Sequence, residues 1–140
     1  MKLGPINIMI GKKDGGPFSK VDCWGIEIKL LFSILVCRFG KNSRDAFHSH
    51  AFNSTSWLLT GKLTEINIDP EIGDNSCVSR YHYPSIKPII THRDTFHKVL
   101  GDKDSNWIIT FRGRWIDEWE EINSDGYQVL THGRKITRQL

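Results

Sequence analysis

His48 and His50 stand one residue apart in the run DAFHSHAFNSTSWLLTG at 45–61. In a strand, successive side chains alternate, so an H-x-H spacing turns both imidazoles to one face, and Ser54, Ser56 and Leu58 continue that face. Two neutral imidazoles converging on a point are a common way to hold a divalent transition metal. The same spacing also describes a pair of surface or hydrogen-bonded histidines, so a metal site needs a third ligand. His97 in FHKVL can supply it: His97 and Val99 share one face of a short alternating segment, opposite Lys98.

Stepping from the ligands to what must carry them, the chain has 140 residues with 39% hydrophobic content, which fits one globular domain with a real core. Residues 24–39 (WGIEIKLLFSILVCRF) place Ile26, Ile28, Leu30, Phe32, Ile34 and Val36 at period two. This predicts one long strand or two joined near Leu31 to Ser33, with a buried helix as the competing reading. Residues 11–17 (GKKDGGP) and 40–45 are turns by composition, and one strand then carries both histidines as far as Leu59. Gly61 breaks it, and KLTEINI at 62–68 alternates as a hairpin partner would. Residues 69–79 are rich in Asp, Pro, Gly, Asn and Ser and read as an exposed loop. Short strands are expected at 80–84, 86–91, 96–100 and 107–112, with Pro88 placing the second at an edge. RWIDEWEEI at 114–122 is a strand or a short helix. Many short strands at regular turn spacing predict an all-β sandwich or small barrel.

The net charge of +3 is mild and its Lys and Arg are scattered, which gives no nucleic-acid footprint and leaves an anionic small ligand open. Cys23, Cys37 and Cys77, at spacings of 14 and 40, match neither a zinc ribbon nor a disulfide framework and point to a reducing, cytoplasmic setting. The apolar run near the start is too short and broken for a signal segment or a membrane span. Nucleotide-binding glycine loops and the G-x-S-x-G elbow do not occur.

The histidines and their surroundings resemble the cupin superfamily: H-x-H, a closing Gly61, then Pro88 ahead of a lone His97. More narrowly, His48, His50, Phe52, Ser56, Leu59, Gly61, Glu65, His97, Trp107, Phe111, Gly113, Arg114 and Trp119 match a pattern of small cupins from phages and bacteria, across about residues 37–120. The resemblance implies a single jelly-roll (double-stranded β-helix) barrel with little helix, one divalent metal on His48, His50 and His97, and a homodimer. The position where cupins usually carry a metal-binding Glu is Ser54, with Thr55 beside it. Glu65 is an alternative carboxylate beyond the Gly61 turn. A shell of three neutral imidazoles leaves the ion its full charge and several open positions. In ligand count it resembles the thiol dioxygenases, which implies iron first, with nickel, zinc or manganese as alternatives.

Ser54, Arg112 and Arg114 are candidates for holding substrate, since either arginine at the barrel mouth would grip a carboxylate or phosphate. His82, His92 and His132 read as solvated or hydrogen-bonded, Trp57, Trp107, Phe111 and Trp115 as core, and Asp117, Glu118, Glu120 and Glu121 as a solvated acidic face. The expected function is a metal-binding cupin acting on a small polar or anionic molecule as an iron(II)-dependent oxygenase. The alternatives are a non-redox isomerase or hydrolase-like metal enzyme and a non-catalytic small-ligand binder.

Overall fold

A computed structural model describes residues 2–15, 19–28, 31–69, 72–116, 118–123, 126–131 and 135–139, and the side chains of 44, 45, 73–75 and 123 lie outside that description. The chain runs as β1 (Lys2–Leu3), β2 (Ile6–Lys13), β3 (Val21–Ile28), β4 (Phe32–Phe39), β5 (Arg44–His48), β6 (Ser54–Thr60), β7 (Leu63–Asp69) and β8 (Gly73–His82). It continues as β9 (Ile89–Thr91), β10 (His97–Gly101), β11 (Asn106–Arg112), β12 (Trp119–Asn123), β13 (Gly126–Thr131) and β14 (Lys135–Gln139). No helix occurs among the described residues, and so none is long and apolar enough to cross a membrane.

The strands form two sheets of seven, ordered β1-β2-β3-β4-β11-β6-β9 and β14-β13-β12-β5-β10-β7-β8, with antiparallel pairing throughout. Val21, Cys23, Leu35, Cys37, Leu58 and Ile108 from the first sheet bury against Leu63 and Val99 from the second. Each fully buried Val, Leu or Ile among them contributes about 1.5–3 kcal/mol of transfer free energy. The barrel expectation holds, and it holds with the predicted edge: Pro88 precedes β9, which ends the first sheet.

Several local expectations are corrected. The two histidines do not ride one strand. β5 ends at His48, the chain crosses from the second sheet to the first over 49–53, and β6 begins at Ser54. β7 is not the hairpin partner of β6, because the turn at Gly61 carries the chain back to the second sheet, where β7 lies between β10 and β8. Residues 73–79 of the expected loop run on into the expected strand at 80–84 to form β8, an edge strand whose polar composition suits solvent on its free side. β2 persists through Gly11 to Lys13 by a bulge, with Gly11 at φ 62, while Gly16 and Pro17 lie outside the described residues. The period-two set Ile26, Phe32 and Ile34 faces outward, and Leu35 and Cys37 face the core. Cys23 and Cys37 are register partners 4.2 Å apart at Cα and are joined as a disulfide, with Cys77 exposed and free. That pairing removes the cysteine count as an argument for a reducing compartment.

Asn106 ties the closed end together. It is 0% exposed, and its Nδ2 donates to Phe39 O at 2.9 Å and Lys103 O at 2.8 Å. Its Oδ1 accepts from Lys62 N at 2.9 Å and Lys103 N at 3.3 Å. A Cβ on Gly61, whose φ is 91, would strike that same amide, so the sheet-crossing turn requires glycine. Asn106→Ala orphans buried backbone groups at three turns and should destabilise the fold by about 2–4 kcal/mol with an unchanged urea m-value. A loss below about 1 kcal/mol in urea titrations would contradict this role.

Candidate functional site

The antiparallel pairing of β5 with β10 sets His48 directly opposite His97, and cross-strand partners share a face. Both are buried, each 3% exposed. His50 comes from the crossing segment, which is pinned by the backbone bonds His50 N to Arg93 O (3.1 Å) and Ile116 N to Ala51 O (2.6 Å). The three rings meet edge to face at centroid separations of 4.8, 4.9 and 5.0 Å. Their candidate ligand atoms all lie within 4.8 Å of one another.

The hydrogen bonds fix which nitrogen faces inward. His48 Nδ1 donates to Ala46 O at 2.8 Å, and His97 Nδ1 donates to Glu65 Oε2 at 2.5 Å. Both acceptors lack a proton, so each ring turns the lone pair of Nε2 to the cluster. His50 Nε2 and His97 Nε2 are 2.8 Å apart, the separation of two imidazoles sharing one proton. At a metal–nitrogen distance of about 2.1 Å, neighbouring ligands stand about 3–3.5 Å apart, so a divalent ion fits in that proton's place with only small ring movements.

Glu65 therefore sits behind a histidine and orients it. It is 6% exposed, and its second oxygen, Oε1, accepts from His82 Nε2 at 3.0 Å. Burial alone would raise its carboxyl, yet the hydrogen bonds from His82 and His97 outweigh burial and hold it well below the ordinary value of 4.5. A carboxyl depressed in the folded state stabilises the fold above its unfolded value, and that contribution fades as pH falls below about 4.5.

A cavity of about 90 Å³ opens over the histidines, walled by Ser54, Ser56 and Thr110 on the first sheet and by Glu65 and Val99 on the second. Ser56 donates to Thr110 Oγ1 at 2.9 Å, which leaves Ser54 as the hydroxyl nearer the mouth, opposite Arg112 in register. Arg112 lines this cavity, with Nη2 2.6 Å from Asp14 Oδ2 and its guanidinium 4.7 Å over the Phe52 ring. Arg114 is exposed and not part of the lining.

Other expectations resolve unevenly. His82 is hydrogen-bonded as read, and His92 is exposed. His132 and Asp117 lie outside the described residues. Phe111 is not core: it is 41% exposed on the outer face of the first sheet, edge-on to Trp57. Trp57, Trp107 and Trp115 are partly buried. Glu121 is corrected from a solvated face to a buried position, 4% exposed and opposite His48 on β12. Its alternation with the half-exposed Glu120 was the signal available, hidden by the uniform acidity of that stretch. The role of Asp14, far from the motifs in sequence, had no local signal.

Glu65→Gln should weaken divalent metal binding by about 10–100-fold in competition with a chromogenic chelator. The circular dichroism spectrum should stay native, and an unchanged affinity would contradict the orienting role.

No protein-family model matches the sequence, and no curated protein matches it. Solved structures do. Oxalate oxidase in complex with glycolate aligns at a TM-score of 0.55 with 12% identity over 75% of this chain and 56% of the oxidase. The iron(II) form of HppE aligns at 0.55 with 14% identity over 69% and 53%. The present chain thus spans little more than half of either. A cupin-superfamily sugar phosphate isomerase from Silicibacter pomeroyi aligns at 0.54 with 11% identity over 96% of this chain and 90% of that one. Likeness at these identities shows the fold alone: this chain has the jelly-roll barrel fold of these cupin structures, with three histidines gathered in its cavity.

Proposed function

We propose that His48, His50 and His97 hold one divalent ion and that the chain is an iron(II)-dependent oxygenase acting on a small polar or anionic molecule. The observation that carries this reading is the composition of the cluster: three imidazoles and, among the described residues, no carboxylate, with both oxygens of Glu65 engaged by His97 and His82. Three neutral ligands leave coordination positions for two further molecules. An iron(II) ion held there would supply the chemistry of oxygen activation. The chain's own residues do the rest. Phe52, Leu63 and Ile108 keep the cavity walls dry, Ser54 offers a hydroxyl to a polar substituent, and Arg112, its charge balanced by Asp14, positions the mouth.

The similarity to a sugar phosphate isomerase over nearly the whole chain favours a second reading, a non-redox catalyst in which the ion acts as a Lewis acid. Oxygen uptake separates the two. Protein reconstituted with iron(II) should consume oxygen in the presence of one member of a panel of small thiols and small acids. Zinc-loaded protein and His50→Ala should not. Turnover of a sugar phosphate by zinc-loaded protein without oxygen uptake would overturn the oxygenase in favour of the isomerase.

We also propose a homodimer through the outer face of the first sheet. Ile26, Ile34 and Phe111 are register neighbours across β3, β4 and β11 and are 48%, 39% and 41% exposed. A contiguous apolar row on a flat sheet face is a surface that a second copy can cover. Light scattering should give twice the chain mass, and Ile34→Glu should reduce it to one. A wild-type monomer at micromolar concentration would contradict the proposal.

A further inference from the structure

Beside the histidine cavity lies a second, larger cleft of about 530 Å³, between the free edges of β8 and β9. Glu65, His82, Ile89 and Thr91 line both spaces, so the hydrogen-bonded pair Glu65–His82 forms part of the wall between them. The inner cavity, about 90 Å³ by the same measure, accommodates only a reacting end, and the bulk of any larger molecule must lie outside it.

The cleft's charges are one-sided. Arg80 and Lys87 line it, and the only carboxylate on its walls among the described residues is Glu65, already engaged by His82 and His97. Unlike Arg112, which is paired with Asp14, Arg80 has no ion pair among the described residues. It stands opposite Glu65 in the β7–β8 register and so turns to the cleft side of the edge strand. A second observation points the same way. Asn67, two residues along the same face of β7, lines the cleft, and its amide Nδ2 is buried without a hydrogen-bond partner. A buried donor left unmade costs about 1–3 kcal/mol, and a turn of this amide toward the cleft would let an oxyanion there satisfy it.

We propose that this cleft binds the oxyanion group, carboxylate or phosphate, of the small molecule whose other end reaches the histidines. Arg80 and Lys87 supply the charge and Asn67 a directed donor. In naming a substrate class the inference rests on the proposed function, but the binding of the anion itself does not.

The experiment titrates inorganic phosphate and, separately, malonate into the full chain, followed by backbone amide shifts at 80–92 and the side-chain amide of Asn67. Metal content is measured on the same samples. Saturable shifts in those signals are expected, retained in His97→Ala and at least tenfold weaker in Arg80→Gln and Lys87→Ala. Lys135→Ala, on the opposite edge of the second sheet, should match wild type. Saturation by phosphate alone assigns a phosphate ester, and by malonate alone a carboxylate. Absence of saturation by either, or a loss in Lys135→Ala equal to that in Arg80→Gln, overturns the site. Wild-type protein that takes up no metal on reconstitution and still binds the anion would sink the metal reading and leave the cleft standing.

Discussion

The antiparallel pairing of β5 with β10 is the constraint on which the site depends. It sets His48 opposite His97 at a spacing that two sheet neighbours cannot avoid, and a slip of one residue would turn one ring out of the barrel. β7 then lies on the other side of β10, so Asn67 is the register partner of His97 while Glu65 reaches its Nδ1. The ligand, its orienting carboxylate and the cleft wall are therefore successive consequences of one register.

That register is held by features away from the histidines. The chain must leave the second sheet after His48, enter the first at Ser54, and return after Gly61, and both ends and the middle of this path offer side chains to the cavity, among them His48, His50, Ser54 and Glu65. Gly61 and Asn106 fix the return crossing, because the glycine's positive φ and the amide's contact with it are mutually required. His50 is placed by backbone bonds of the outward crossing, with Phe52 at 5.2 Å beneath it and Trp115 against Phe52. Small residues and aromatics are thus divided between crossing points and walls.

Much of this was legible in the sequence, for reasons that differ by residue. The H-x-H pair and His97 stand out as candidate ligands by type and spacing, but only His48 and His97 meet as strand neighbours, while His50 joins them from the crossing segment and not by strand alternation. The barrel followed from many short alternating segments. Pairing was less legible. The alternation of 62–68 is the same whether β7 returns beside β6 or crosses to the opposite sheet, since periodicity reports a face and not a neighbour. β8 was hidden by its composition, as edge strands tolerate polar residues that elsewhere mark loops. The apolar set Ile26, Phe32 and Ile34 reads as core by type and lies outside by geometry. Glu65 reads in sequence as an alternative ligand and meets His97 Nδ1 instead, because β7 adjoins β10 in the same sheet and sets Glu65 opposite Val99. Cys23 and Cys37 meet through strand register, which their spacing alone does not encode.

The central claim is that three imidazoles, with Glu65 held behind them, form one metal site. Elemental analysis of protein purified without added metal or chelating tags, beside a His97→Ala variant, tests it most directly. The account predicts close to one iron per chain in the wild type and loss of the metal in a variant that remains folded. No bound metal in either sample after reconstitution with iron, nickel, zinc and manganese, or equal metal in both, would contradict it.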